Sequence, residues 1–240
     1  MHTFKSWKVV EHRDVRAQLL TFKLSTVIPA NALLGFLAGA ALLLGAGCLT
    51  LNKSYPEKQF YSLEVPRTST DTHPAIGSVL RVQRFVAAPQ FEGRELVYRT
   101  GDLQFESDFY HEWFVSPSAV VTQQTHNWLA ASGLFQSVLD SNSGLDESLT
   151  LEGYISALYG DYRVKTAPKA VLELRVRMIG EGQGRTKILF QQEYRQAMTV
   201  ADETPVALVK GWNDELQAIL AALEDDLRRG KLNTGSSDKP

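Results

Sequence analysis

The sequence predicts an α+β domain in which a mixed or antiparallel sheet carries two main helices packed against it. Three observations lead there. Apolar and polar residues alternate along Leu149 to Tyr159 and along Val171 to Ile179, the period-2 signature of half-buried strands. Two other segments repeat their apolar residues every three to four positions and open on a hydroxyl–proline pair, Ser116-Pro117 and Thr204-Pro205. The elements also run strands, helix, strands, helix without internal repeat, an order that suits helices packed against one sheet.

Each element can be justified in turn. Asn52 to Lys58 reads as a polar linker, and Gln59 to Val65 as a first strand stopped by Pro66. The Thr- and Ser-rich stretch from Arg67 to Pro74 is a loop. Ser78 to Val86 forms a second strand, with Leu80 and Val82 on one side and Arg81 and Gln83 on the other. Leu96 to Arg99 and Leu103 to Trp113 are the arms of a hairpin about Thr100-Gly101-Asp102. In its second arm Leu103, Phe105, Phe109 and Trp113 share a parity with Ser107 and His111, while Gln104, Glu106, Asp108 and Glu112 take the other. The helix from Ser116-Pro117 places Val121, Thr125, Trp128 and Leu129 on one face and ends at Gly133. Phe135 to Leu139 is a short strand. Val171 to Ile179 and Thr186 to Val200 pair through a turn at Gly180 to Gly184, with Leu172, Leu174, Val176 and Met178 opposite Glu173, Arg175 and Arg177. The last helix lines up Val209, Trp212, Leu216, Ile219, Leu220, Leu223 and Leu227 until Gly230 stops it. Residues 231–240 form a polar tail expected to be disordered.

Of 240 residues, 1–47 read as a leader outside the fold, 48–58 as a linker beginning with Cys48, and 59–230 as one domain. With 44% hydrophobic and 22% charged residues the composition is that of a globular protein. The leader holds five cations against two anions, so its loss takes the mature part from a net −2 to near −5. An acidic balance offers no electrostatic case for nucleic acid. A single cysteine excludes an internal disulfide.

No charged residue occurs between Lys23 and Lys53, and Ala32 to Gly47 is an apolar run behind a cationic stretch, the arrangement of an export signal. Leu44-Gly45-Ala46-Gly47-Cys48 resembles a bacterial lipobox, which implies cleavage before Cys48 and its diacylation. Gly45 stands where that motif prefers Leu. An uncleaved spanning helix is the alternative, since the window exceeds the ~20 residues a bilayer requires. Glycines and Pro29 weaken that helix. The leader is longer than the usual about 15–30 residues, so a start shortly before Lys23 is a second expectation. Leu49 and Thr50 follow Cys48 without Asp, which in Gram-negative lipoproteins implies export to the outer membrane.

Catalytic signals are weak. Gly180 to Gly184 joins strands and opens no helix, so it reads as a turn and not as a phosphate cradle. His111 and His126 lie on different elements, without His or Cys at ligand spacing, and His111 reads as a satisfied, half-buried side chain. No G-x-S-x-G elbow is present. Glu224-Asp225-Asp226 reads as a solvated helix face. The residues call for no cofactor, metal or catalytic group.

Phe60-Tyr61-Ser62-Leu63, Val79-Leu80-Arg81-Val82, Leu96-Val97-Tyr98-Arg99 leading to His111-Glu112-Trp113, the Ser-Pro helix ending in Leu134-Phe135, and the terminal helix with Trp212 together resemble the ABC-type transport auxiliary lipoproteins, the PqiC-like family. The likeness covers most of Phe60 to Arg229. Glu112 departs from the Arg that family often places before the Trp. The resemblance implies a fold similar to the N-terminal domain of TolB. It also implies a non-enzymatic lipoprotein on the periplasmic face of the outer membrane, with an MCE-type protein and its ABC transporter or permease as partners. Ring-forming homo-oligomers occur in the family. Tyr98, Arg99 and Trp113 are candidates for partner contact, with Trp128 beside them, although core packing is the stronger reading for both tryptophans. Two other functions stay open. A stand-alone lipid-binding or envelope-assembly lipoprotein would need a closed apolar cavity, and a periplasmic hydrolase a polar cleft of convergent ionisable groups.

Overall fold

The computed structural model describes residues 56–69, 77–182 and 184–230. The leader, Cys48 and the tail beyond Gly230 lie outside the described residues. A nine-stranded mixed sheet carries two helices, as the patterning predicts.

The trunk of the sheet is β7 (Leu149–Asp161). Along one edge it pairs antiparallel with β8 (Lys169–Gly182), which pairs in turn with β9 (Arg185–Thr199). Along its other edge it takes three short strands in succession, all parallel. β2 (Val79–Val82) meets its start, β3 (Val86–Ala87) its middle and β4 (Glu95–Arg99) its end. Beyond β4 lie β5 (Phe105–Trp113) and then the edge strand β1 (Gln59–Tyr61), while β6 (Ser137–Leu139) lies beyond β2.

One face of this sheet is the core. Leu172, Leu174, Val176 and Met178 of β8 are fully buried, with Arg175 and Arg177 on the opposite, solvent face. Onto the buried face pack α1 (Pro117–Ser132) and α2 (Pro205–Arg228). The predicted stripe of α2 is buried, and Trp212 donates from Nε1 to the Val171 carbonyl at 3.2 Å. Burying each large apolar side chain contributes about 2 kcal/mol. The Thr204 hydroxyl accepts from the Ala207 amide, a true N-cap. Gly133 ends α1 at φ 68°, a left-handed cap that any other L-residue reaches only with strain. Ser116 caps without the expected side-chain bond to the backbone; its hydroxyl meets that of Ser118.

Several expectations are corrected. The first strand stops at Tyr61 because helix side chains take over the backbone behind it. Asn213 Oδ1 accepts from the Glu64 amide, and Gln124 Oε1 from that of Val65. The second strand breaks into β2 and β3 where Thr122 Oγ1 accepts from the Phe85 amide. Arg81, on the side of β2 opposite Leu80 and Val82, is only 7% exposed. The segment Asp140–Glu147 covers it, with its guanidinium donating to the Asp140 and Ser143 carbonyls and to Glu147. The strand after Gly133 is shorter than read, and β8 runs to Gly182, which narrows its turn to one at Gly184 (φ 70°). The acidic cluster of α2 is not a solvated face. Glu224 is buried between Arg67 (Nη2 at 2.8 Å), Arg228 and the Trp128 indole N–H (2.8 Å), and Asp226 accepts from the Tyr194 hydroxyl at 3.0 Å. Asp225 alone of the three is exposed.

Candidate interaction surface

The outer strands β4, β5 and β1 carry the features that the core does not use. Antiparallel pairing sets Val97 opposite Ser107 but Glu95 opposite Glu112, so Asp108 to His111 bulge out against Leu96 alone. That places three extra residues in β5. An odd insertion reverses the facing of every side chain beyond it. Trp113 therefore enters the core, packed against Trp212 with ring centroids 5.2 Å apart, while Phe105 and Phe109 stay outside. The single parity expected for Phe105, Phe109 and Trp113 does not hold.

Asp108 pins the bulge. Its Oδ1 accepts from the amides of Tyr110 (2.9 Å) and His111 (3.1 Å), and its Oδ2 from the Tyr98 hydroxyl and His111 Nδ1, both at 2.7 Å. Burial works against its charge, yet these donors hold the carboxyl below the ordinary carboxylate range. His111 is thus the half-buried, satisfied histidine that the sequence suggests.

The bulge leaves an apolar surface. Phe60, Phe109 and Phe114 are 49%, 67% and 66% exposed, and Val115 lies beside them in sequence and is also exposed. Phe60 and Phe114 meet edge-to-face at 6.4 Å. Lys58 sits 4.4 Å over the Phe109 ring and pairs with Glu112, and Arg94 lies 5.5 Å over Phe60. Sequence reasoning missed this surface. The only local hint is Asp108, a poor strand residue in mid-strand.

Of the predicted contact residues, Trp113 is 2% exposed and belongs to the core, as does Trp128. Trp113 thus offers no surface to a partner. Tyr98 is half-buried, stacked on Tyr162 at 5.1 Å, and burial with the Asp108 bond pushes its hydroxyl pKa far up. Arg99 donates to the Gly101 and Asp102 carbonyls and lies 5.6 Å over Phe105, so it braces the hairpin tip, where Leu103 is 97% exposed.

Two of the several open clefts among the described residues are lined by charged side chains on the sheet and on α2. One of about 770 Å³ lies over β3, β7 and β8 with Arg84, Glu152, Arg175 and Arg177. The other, about 660 Å³, runs along α2 with Asp214, Glu224, Asp225 and Arg228. Among the described residues no three His, Cys, Asp or Glu side chains are grouped to hold a metal ion. Among those residues, too, no helix is long and apolar enough to cross a membrane.

A sequence model of the ABC-type transport auxiliary lipoprotein component matches residues 61–224, from the end of β1 to the last turns of α2. The chain belongs to this family. As an ABC-type transport auxiliary lipoprotein it shares its fold with solved structures of low sequence identity. Protein XCC0632 from Xanthomonas campestris, of the DUF330 family, superposes with a TM-score of 0.60 at 15% identity, covering 72% of this chain and 96% of its own. A second, an uncharacterized protein, gives 0.56 at 14% identity over 71% and 99%. At these identities the likeness speaks for fold alone. No curated protein sequence matches the chain.

Proposed function

We propose that this auxiliary lipoprotein is anchored to the periplasmic face of the outer membrane through diacylated Cys48. There it docks an MCE-type protein, and through it an ABC transporter or permease, without a chemical step of its own. The observation that carries this reading is the family match over residues 61–224. The β4–β5 hairpin tip is the partner-facing feature the geometry supports best. Arg99 braces it from within, Tyr98 ties its base to the bulge, and Leu103 and Phe105 stand exposed on it. Exposed apolar side chains on a rigid support suit a protein contact.

A photo-reactive amino acid at Leu103, in the full chain in its native envelope, tests the docking. Cross-links to an MCE-type protein or to a transporter subunit are expected, and the same probe at exposed Leu145, beside the opposite end of β7, should give none. Equal labelling from both positions removes the tip from the interface, and recovery of no transport component at either removes the docking role. Cys48→Ala tests the anchor: the chain should move from the membrane fraction to the soluble one. Retention in membranes would replace the lipid anchor with a spanning segment.

A further inference from the structure

We propose that Phe60, Phe109 and Phe114 form a foot that seats the domain on the lipid surface, at the boundary between headgroups and acyl chains. The inference rests on the anchor at Cys48 argued above.

Geometry and chain length together single out this surface. Pro56 opens the described chain only eight residues after Cys48, and β1 starts three residues later. A fully extended chain covers at most about 3.5 Å per residue, so Pro56 stays within roughly 28 Å of the lipidated cysteine. The edge that carries Phe60 is therefore the part of the domain on the shortest tether to the membrane. Phenyl rings have no polar group to keep in water, and three of them lie here, half to two-thirds exposed, with Phe60 and Phe114 in contact.

The cations fit the same orientation. Lys58 and Arg94 lie over the Phe109 and Phe60 rings, and Arg94 is held by its Nε donating to the Trp113 carbonyl at 2.9 Å. An amphipathic cation beside an inserted ring can meet lipid phosphate while its stem stays in the apolar layer. The far end of the sheet could not be seated in this way. There the solvent face of β7 to β9 is studded with Glu152, Glu173, Arg175, Arg177 and Arg195. A second copy of the chain is the weaker occupant, because β1 is only three residues long and short edge strands discourage edge-to-edge pairing.

The test uses the mature chain lipidated at Cys48 in vesicles of phosphatidylethanolamine and phosphatidylglycerol, with or without brominated acyl chains. Phe109→Trp introduces a fluorophore into the foot, and Ile188→Trp places one on exposed β9 as a control. The buried Trp113, Trp128 and Trp212 supply a background that the wild type subtracts. The added emission at position 109 should fall about two-fold or more in brominated vesicles, as expected for a ring ~5–10 Å into the interface, while that at 188 is unchanged. Phe114→Trp repeats the measurement at the neighbouring ring. Quenching no greater at 109 and 114 than at 188, with all variants still co-sedimenting with vesicles, overturns the foot and leaves the anchor standing. Blue-shifted, concentration-dependent emission without quenching assigns the surface to a second copy and also overturns it. Loss of co-sedimentation in every variant, wild type included, removes the anchor and the foot with it.

Discussion

Glu215 is fully buried on α2, where one carboxyl oxygen accepts from the Met198 amide at 2.7 Å. The other, Oε2, meets no hydrogen-bond partner among the described residues. Burial pushes its pKa from the ordinary 4.5 up to about 8, with the neighbouring charge of Asp214 adding to the rise. The folded chain thus holds a proton that the unfolded chain releases above 4.5. Stability is therefore expected to fall as pH rises from 4.5 to about 8 and then to level off. Glu215→Gln keeps the acceptor for Met198 and removes the titration. Near pH 9 it should be more stable than the wild type by about 4–5 kcal/mol, and near pH 5 by less than about 1 kcal/mol. Urea midpoints at the two pH values check this, and parallel curves for both proteins would refute it. Arg81, Glu215 and Glu224 share one reason for being illegible in the sequence. A charged residue reads as outward until the segment that covers or pairs with it is known, and those segments lie far off in the chain.

At the scale of elements, close approach and register decide what patterning leaves open. Gly153 in β7 lies under the Phe85 ring, and a Cβ there would stand 2.4 Å from three of its atoms. Phe85 is a fully buried side chain of the β2–β3 break and cannot swing away freely. Gly153→Ala should destabilise the domain by about 2 kcal/mol, the cost of overpacking a close-packed site. Phe85→Leu should cost less in the Gly153→Ala background than alone, a coupling that a double-mutant cycle of denaturant midpoints would measure. Additive effects would show that the contact is not the cause. Register explains the β5 bulge as well. The alternation from Leu103 to Trp113 is regular in sequence, and only the pairing with β4, pinned by Asp108, turns Phe109 outward and Trp113 inward. The hairpin and both helices were legible because their signals are local: turn residues, caps and the 3–4 stripe.

Across the whole molecule, β7 is covered on both edges and packs its core-facing residues under the helices, whereas β1 and β6 are three-residue strands at the margins. Opening β7 requires separating it from β8 and from three further strands, so its amides should report global unfolding. Native-state hydrogen exchange is expected to be slowest at Leu151, Ile155, Leu172 and Leu174 and fastest, among strands, in β1 and β6. Protection in β1 equal to that in β7 would contradict this hierarchy. By itself the sequence determined the class of the fold, the two helices with the Thr204 cap and the Gly133 stop, the β8–β9 hairpin and the family, because each rests on neighbours within a few residues or one turn. It also carried the expectation of an anchor at Cys48. The tertiary structure alone decided how the sheet forks about β7, which charges are buried, and which aromatic residues remain at the surface. Those depend on pairing between distant segments, where one odd insertion is enough to exchange the inside of a strand for its outside.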